Sequence, residues 1–137
     1  MRSAIPARAG YMLQPRTVGP IALTDIVRFA GAGGDFNPLH HDAETARAAG
    51  FPDVIAMGQL HAGMLGSWIA DVFGVEHLRS FEVRFAAPVN VGDTLTLTGE
   101  VTEVDASASP PVAVLSLAVK RGDDVVLHGK ATVAVAS

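Results

Sequence analysis

The chain has no cysteine. Disulfides and thiolate chemistry are therefore excluded, and a Cys-ligated structural zinc site is not expected. The absence fits a reducing compartment, and the sequence predicts a cytoplasmic protein. Basic residues are also few: 10 Lys and Arg face 14 Asp and Glu, for a net charge of −4 and a pI of about 5.6. No basic stripe is available to meet phosphates, so nucleic acid is not an expected partner. Charged residues make up only 18% of the chain, and the mean hydropathy is +0.33. A small monomer rarely leaves large apolar patches in water. A second subunit is therefore expected, with a two-fold homodimer as the default.

Several motifs are missing as well. There is no GxGxxG following a strand and no P-loop, so no bound nucleotide or other cofactor is predicted. "GAGG" at Gly31 follows a helix, which is the wrong context. His40, His41 and His61 lack the i,i+4 helical spacing of zinc enzymes, and no metal is predicted. The N-terminal "MRSAIPARAGYML" is interrupted by Pro6, Arg8 and Gly10 and has no continuous apolar region of a signal peptide. The apolar segment Val54 to Val75 contains Gln59, His61 and Asp71, which would be costly inside a bilayer. It reads as a helix buried in a core, not as a membrane span.

The 137 residues suit one domain, 1–137, with no internal repeat. "RTVGPIAL" is a candidate short strand. "LTDIVRFAGAGG" predicts a helix capped by Thr24, with Asp25 in its first turn and Gly31, Gly33 and Gly34 stopping it. "DAETARAAG" predicts a short helix capped by Asp42 and ended by Gly50. A long helix should then run from Gly58 to Gly74. Four strand-like runs follow: Ser80 to Val91, Thr94 to Val104, Val112 to Arg121 and Asp124 to Ala136. Turn signals at "VGDT" and "RGDD" suggest a meander of mostly antiparallel strands. The class is α+β, with a twisted sheet wrapped around one long apolar helix.

The chemistry gathers in "GGDFNPLHHDAE", Gly33 to Glu44. Pro38 fixes its own φ and biases Asn37 toward extended backbone, so the bend can return His40 toward Asp35. An imidazole can take a proton from water, and a nearby carboxylate can hold that water or fix the tautomer. The same residues also make a good turn, since Asp and Asn side chains cap their own backbone. A second feature lies downstream. Met57-Gly58 opens the long helix, whose first N–H groups have no internal partners. With no side chain, Gly58 would let a ligand oxygen approach its N–H closely. Gln59 and His61 follow in the first turn as pocket candidates, although His61 also reads as a core histidine with its hydrogen bonds satisfied. Met57, Met64, Leu65 and Trp68 read as core or as tunnel lining. His41 is expected at the surface.

"GDFNPLH", Gly34 to His40, resembles the hydratase signature of the MaoC-like, R-specific enoyl-CoA hydratases and dehydratases. "AMGQLHAGML" falls where that family enters its central helix, and "RFAAPVNVGDTL" resembles its first long strand and turn. The resemblance runs from about Thr17 to Val135. It implies a hot-dog fold and a dimer, with acyl-thioester sites at or near the subunit interface. It also implies that Asp35 and His40 are the catalytic pair and Gly58 N–H the oxyanion donor, with Asn37 and Pro38 shaping the loop. Asn37, Met57, Gln59 and His61 are the expected substrate contacts. The implied reaction is reversible hydration of a trans-2-enoyl thioester, on CoA or on acyl carrier protein, to the (R)-3-hydroxyacyl thioester. A hot-dog thioesterase and a non-catalytic acyl-binding subunit of a heterodimer are the alternatives. Two positions depart from the family pattern: Met57 stands where histidine is common, and Gly66 where some members have serine.

Overall fold

In the computed structural model, which describes residues 1–137, one helix organises the rest. It is α3, Gly58–Phe73. Its buried residues are His61, Ala62, Leu65, Trp68, Ile69 and Phe73, the i, i+4, i+7, i+8 spacing of a stripe. Gln59, Gly63, Ser67 and Asp71, four apart, form the exposed face. Gly74 ends the helix with φ +94° and donates its N–H to Ala70 O. No helix is long and apolar enough to cross a membrane.

Around this stripe wraps a five-stranded antiparallel sheet. Its strands are β1 (Arg16–Val18), β2 (Leu78–Phe85), β3 (Leu95–Asp105), β4 (Val112–Arg121) and β5 (Asp124–Ala134), in the spatial order β1-β3-β4-β5-β2. Period-two patterning sets the inner face, where Leu95, Leu97, Val101, Leu115, Val119, Leu127, Ala131 and Val133 have no exposed surface. Across the three middle strands the register places Gly99 opposite Leu117 and Leu117 opposite Gly129. A Cβ on Gly99 would lie 2.8 Å from the Leu117 side chain and 3.3 Å from the Trp68 ring. One on Gly129 would lie 2.9 Å from Leu65 Cδ2. The helix thus seats Trp68 and Leu65 where the two middle-strand glycines leave room.

Several expectations change. The sheet is antiparallel but is not a simple meander, because β2 pairs with β5 from Leu78↔Val133 to Phe85↔Leu127. The strand begins two residues earlier than expected and stops at Phe85, not Val91. Residues 86–94 instead carry the chain to the opposite side of the sheet. They are held by backbone bonds from Ala86 and Ala87 N–H to Val126 O, from Val91 N–H to Val54 O and from Gly92 N–H to Ile21 O. "VGDT" is a turn on this crossover. "RGDD" is a true hairpin, with Arg121 paired to Asp124 and Gly122 at φ +60°.

The first helix, α1 (Leu23–Gly33), is capped at Ala22 and not at Thr24. Asp25 reaches back instead, its Oδ2 accepting from Ala22 N–H at 2.9 Å. Gly31 and Gly33 lie inside the helix, and the left-handed stop is Gly34 at φ +70°. In α2 (Ala43–Ala48) Asp42 caps as expected, accepting from Glu44 N–H at 3.1 Å. The last strand ends at Ala134, and α3 ends one residue before Gly74.

Candidate active site

The loop after α1 is built almost wholly from local bonds. Gly34 turns the chain, and Asp35 N–H donates to Ala30 O at 2.9 Å. The Asp35 Oδ1 accepts from Asn37 N–H at 3.3 Å, and Asn37 Oδ1 accepts from Leu39 N–H at 3.1 Å. Asn37 therefore caps a 3₁₀ turn over Pro38–His40, with the proline at its first position. His40 N–H closes the turn on Asn37 O at 3.0 Å. The polar turn and the acid–histidine pair are one object, and the turn uses the Oδ1 of Asn37.

His40 is buried, and its ring is held from two sides. Nδ1 lies 2.7 Å from Ile55 O, and Nε2 lies 3.4 Å from Asp35 Oδ2. A carbonyl oxygen only accepts, so Nδ1 carries a proton and donates it there. In the neutral ring Nε2 is then a lone pair turned toward the carboxylate. At 3.4 Å the two heavy atoms stand beyond a normal direct hydrogen bond but close enough for one water to touch both. The Asp35 side chain is 43% exposed, which gives water access, whereas the His40 side chain is 9% exposed. When Nε2 takes a proton, the ring becomes a cation facing the carboxylate, while its bond to Ile55 is unchanged.

The same Ile55 leads into the helix. Its N–H donates to Leu39 O at 3.0 Å, and Ala56 N–H donates to Val89 O at 2.8 Å. Met57 is the N-cap of α3, and Gly58 is its first residue. The Gly58 N–H has no intrahelical partner at that position, and no loop or cap backbone bond uses it. A cavity of about 350 Å³ opens beside it, and its lining includes Ile55, Gly58, Gln59, His61 and Phe85.

Glycine at 58 has a reason the sequence hid. A Cβ there would lie 2.5 Å from Phe85 Cε1, so the ring of Phe85 occupies the space a side chain would take. Phe85 was not among the expected site residues. Its only sequence signal is an aromatic at the end of β2 just before "AAPVNV". Met57 is 3% exposed and packs in the core, outside that cavity. Gln59 is exposed and lines the cavity.

His61 overturns its expectation as a satisfied core histidine. It is 2% exposed, yet neither ring nitrogen has a hydrogen-bond partner. Burial holds its pKa down at about 4, so the ring is neutral. His41 is at the surface, with Nε2 donating to Phe36 O at 3.3 Å. Asp71, the acid on α3, pairs with Arg16 at 2.8 Å, near the end of the helix opposite Gly58.

A five-stranded antiparallel sheet rolled around one long helix defines the hot-dog fold, and here an acid–histidine loop is tied to the chain entering that helix. Residues 7–121 match the family described as MaoC like domain, and the chain belongs to that family. It is 32% identical over 109 residues to the tomato (Solanum lycopersicum) mitochondrial 3-hydroxyacyl-[acyl-carrier-protein] dehydratase FERN, covering 79% of this chain and 66% of that one. It is 35% identical over 85 residues to the (R)-specific enoyl-CoA hydratase of Rhodospirillum rubrum, covering 60% and 58%. The chain therefore spans about two thirds or less of these curated relatives. Among solved structures it resembles the unliganded R-hydratase PhaJ1 of Pseudomonas aeruginosa, with a TM-score of 0.84 and 28% identity, over 98% of this chain and 87% of that one.

Proposed function

We propose that this protein is a hydro-lyase that reversibly adds water to trans-2-enoyl thioesters, giving (R)-3-hydroxyacyl thioesters. The observation that carries the reading is the state of His40. Its Nδ1 is committed to Ile55 O, which leaves Nε2 as the base beside Asp35. In the hydration direction Asp35 and Nε2 hold one water. His40 takes its proton as the oxygen bonds to C3. The C2–C3 π electrons move toward the thioester, and Gly58 N–H stabilises the enolate oxygen. The protonated pair then returns a proton to C2. No cofactor or metal is required for these steps. Dehydration runs through the same states in reverse.

The test is loss of enone absorbance with crotonyl-CoA. Asp35→Asn and His40→Ala should each cost about 10²–10⁴-fold in kcat, the usual span of general acid–base catalysis, while circular dichroism stays unchanged. Near wild-type rates in both variants would overturn the assignment. Chiral analysis of the product should return the (R) alcohol.

The names of the relatives support both a CoA and an acyl carrier protein substrate. With a net charge of −4 the chain offers little attraction to an acidic carrier protein, which favours CoA. A thioesterase has less support, because Asp71 is exposed, ion-paired and far from Gly58. The exposed apolar side chains Phe36, Phe85, Leu23 and Val27 support assembly with a second subunit, most simply a copy of this chain. Another hot-dog chain is the alternative partner.

A further inference from the structure

His61 is the buried polar side chain that this chemistry leaves unused. Buried polar atoms are nearly always paired, and each one left without a partner costs about 1–3 kcal/mol. Both His61 nitrogens lack partners in a position where leucine would pack without that cost. The ring lines the same cavity as Gly58. Helical side chains lean toward the N-terminus, so a residue three beyond Gly58 covers the first turn, where the free N–H groups are. Phe85 holds the arrangement. Its ring meets His61 edge-to-face at 6.2 Å and 86°, and it also fills the space at the Gly58 Cα. Gly58, His61 and Phe85 thus form one wall.

We infer that His61 is a second hydrogen-bond donor to the thioester oxygen, completing with Gly58 N–H a two-donor oxyanion hole. The inference rests on the reading of an acyl-thioester substrate given above. A neutral imidazole carries one N–H. Because burial holds the ring's pKa down at about 4 and so keeps it uncharged near neutral pH, it meets the developing enolate as a donor and not as an acid. It transfers no proton. The proton from water goes to His40 Nε2, and C2 receives its proton from that pair. The His61 N–H bond only strengthens while negative charge resides on oxygen.

His61→Leu and His61→Gln separate this role from packing. Leucine removes the donor together with the unpaired nitrogens, so its melting temperature should match or exceed that of wild type. Its kcat on crotonyl-CoA should nevertheless fall about 10²–10³-fold, with KM changed far less. Glutamine, which keeps an N–H, should recover at least about tenfold of that loss. A His61→Leu variant with kcat within about twofold of wild type overturns the inference. So does a glutamine variant no better than leucine.

A second measurement needs no variant. In ¹⁵N-histidine spectra of the wild-type protein, saturating butyryl-CoA, a saturated thioester, should shift the His61 N–H, and an unmoved signal overturns the inference. Wild-type protein that hydrates no enoyl thioester defeats the functional reading instead, and the butyryl-CoA titration still decides whether His61 meets a thioester.

Discussion

His61 couples stability to pH, because the fold favours its neutral ring. Its pKa is held at about 4 against an ordinary 6.5, so between these values the unfolded chain binds a proton that the folded one does not. Stability therefore rises with pH through this window and levels off above it. Acidification from pH 6.5 to 4 should remove up to about 3 kcal/mol through this one residue. Urea unfolding at several pH values checks this, and His61→Leu should lose that component of the slope. The closeness of Asp35 and His40 was legible in the sequence, because only four residues, Pro38 among them, separate the two. What His61 lacks was not legible. Its surroundings include Phe85, 24 positions away, and no local pattern announces an unpaired ring.

At the scale of elements, the glycines of β3 and β5 decide how α3 sits. Leu65 has no exposed surface and packs where Gly129 lacks a Cβ. Leu65→Ala should cost about 2–5 kcal/mol by lost burial and a residual cavity. Gly129→Ala works from the other side, forcing a methyl against Leu65 and Leu117, and should cost about 1–3 kcal/mol. Both should lower the urea midpoint with an unchanged m-value. Helix α3 and strands β3 to β5 were readable from periodicity, since each buries one face. The place of β2 was not. Hairpin logic assigns it to β3, and what carries it to β5 is a set of backbone bonds from residues 86–94 to Val126, Val54 and Ile21. Backbone bonds leave no mark on side-chain patterning.

For the whole molecule, the sheet ends in β1 and β2 as edges, and Phe36 and Phe85 are 70% and 50% exposed. Open edges and exposed aromatics invite a second chain. Native mass spectrometry of the protein purified alone should show a particle of two chains, and its melting temperature should rise with protein concentration. Phe85 lies in the wall of the Gly58 cavity, so dilution that splits the particle should also lower specific activity. The low charge and high hydropathy pointed to such a partner before any fold was known.

Ile55 has a consequence of its own. It grips the His40 ring with its carbonyl and the turn with its N–H, and three residues later the same strand of backbone presents the Gly58 N–H. The group proposed to activate water is thus hydrogen-bonded to the same short strut that carries the group proposed to receive the electrons. The gap between them is set by a single hydrogen bond, from His40 Nδ1 to Ile55 O, and by three residues of backbone. Loop movement that breaks this one bond should therefore pull the two halves of the proposed reaction apart.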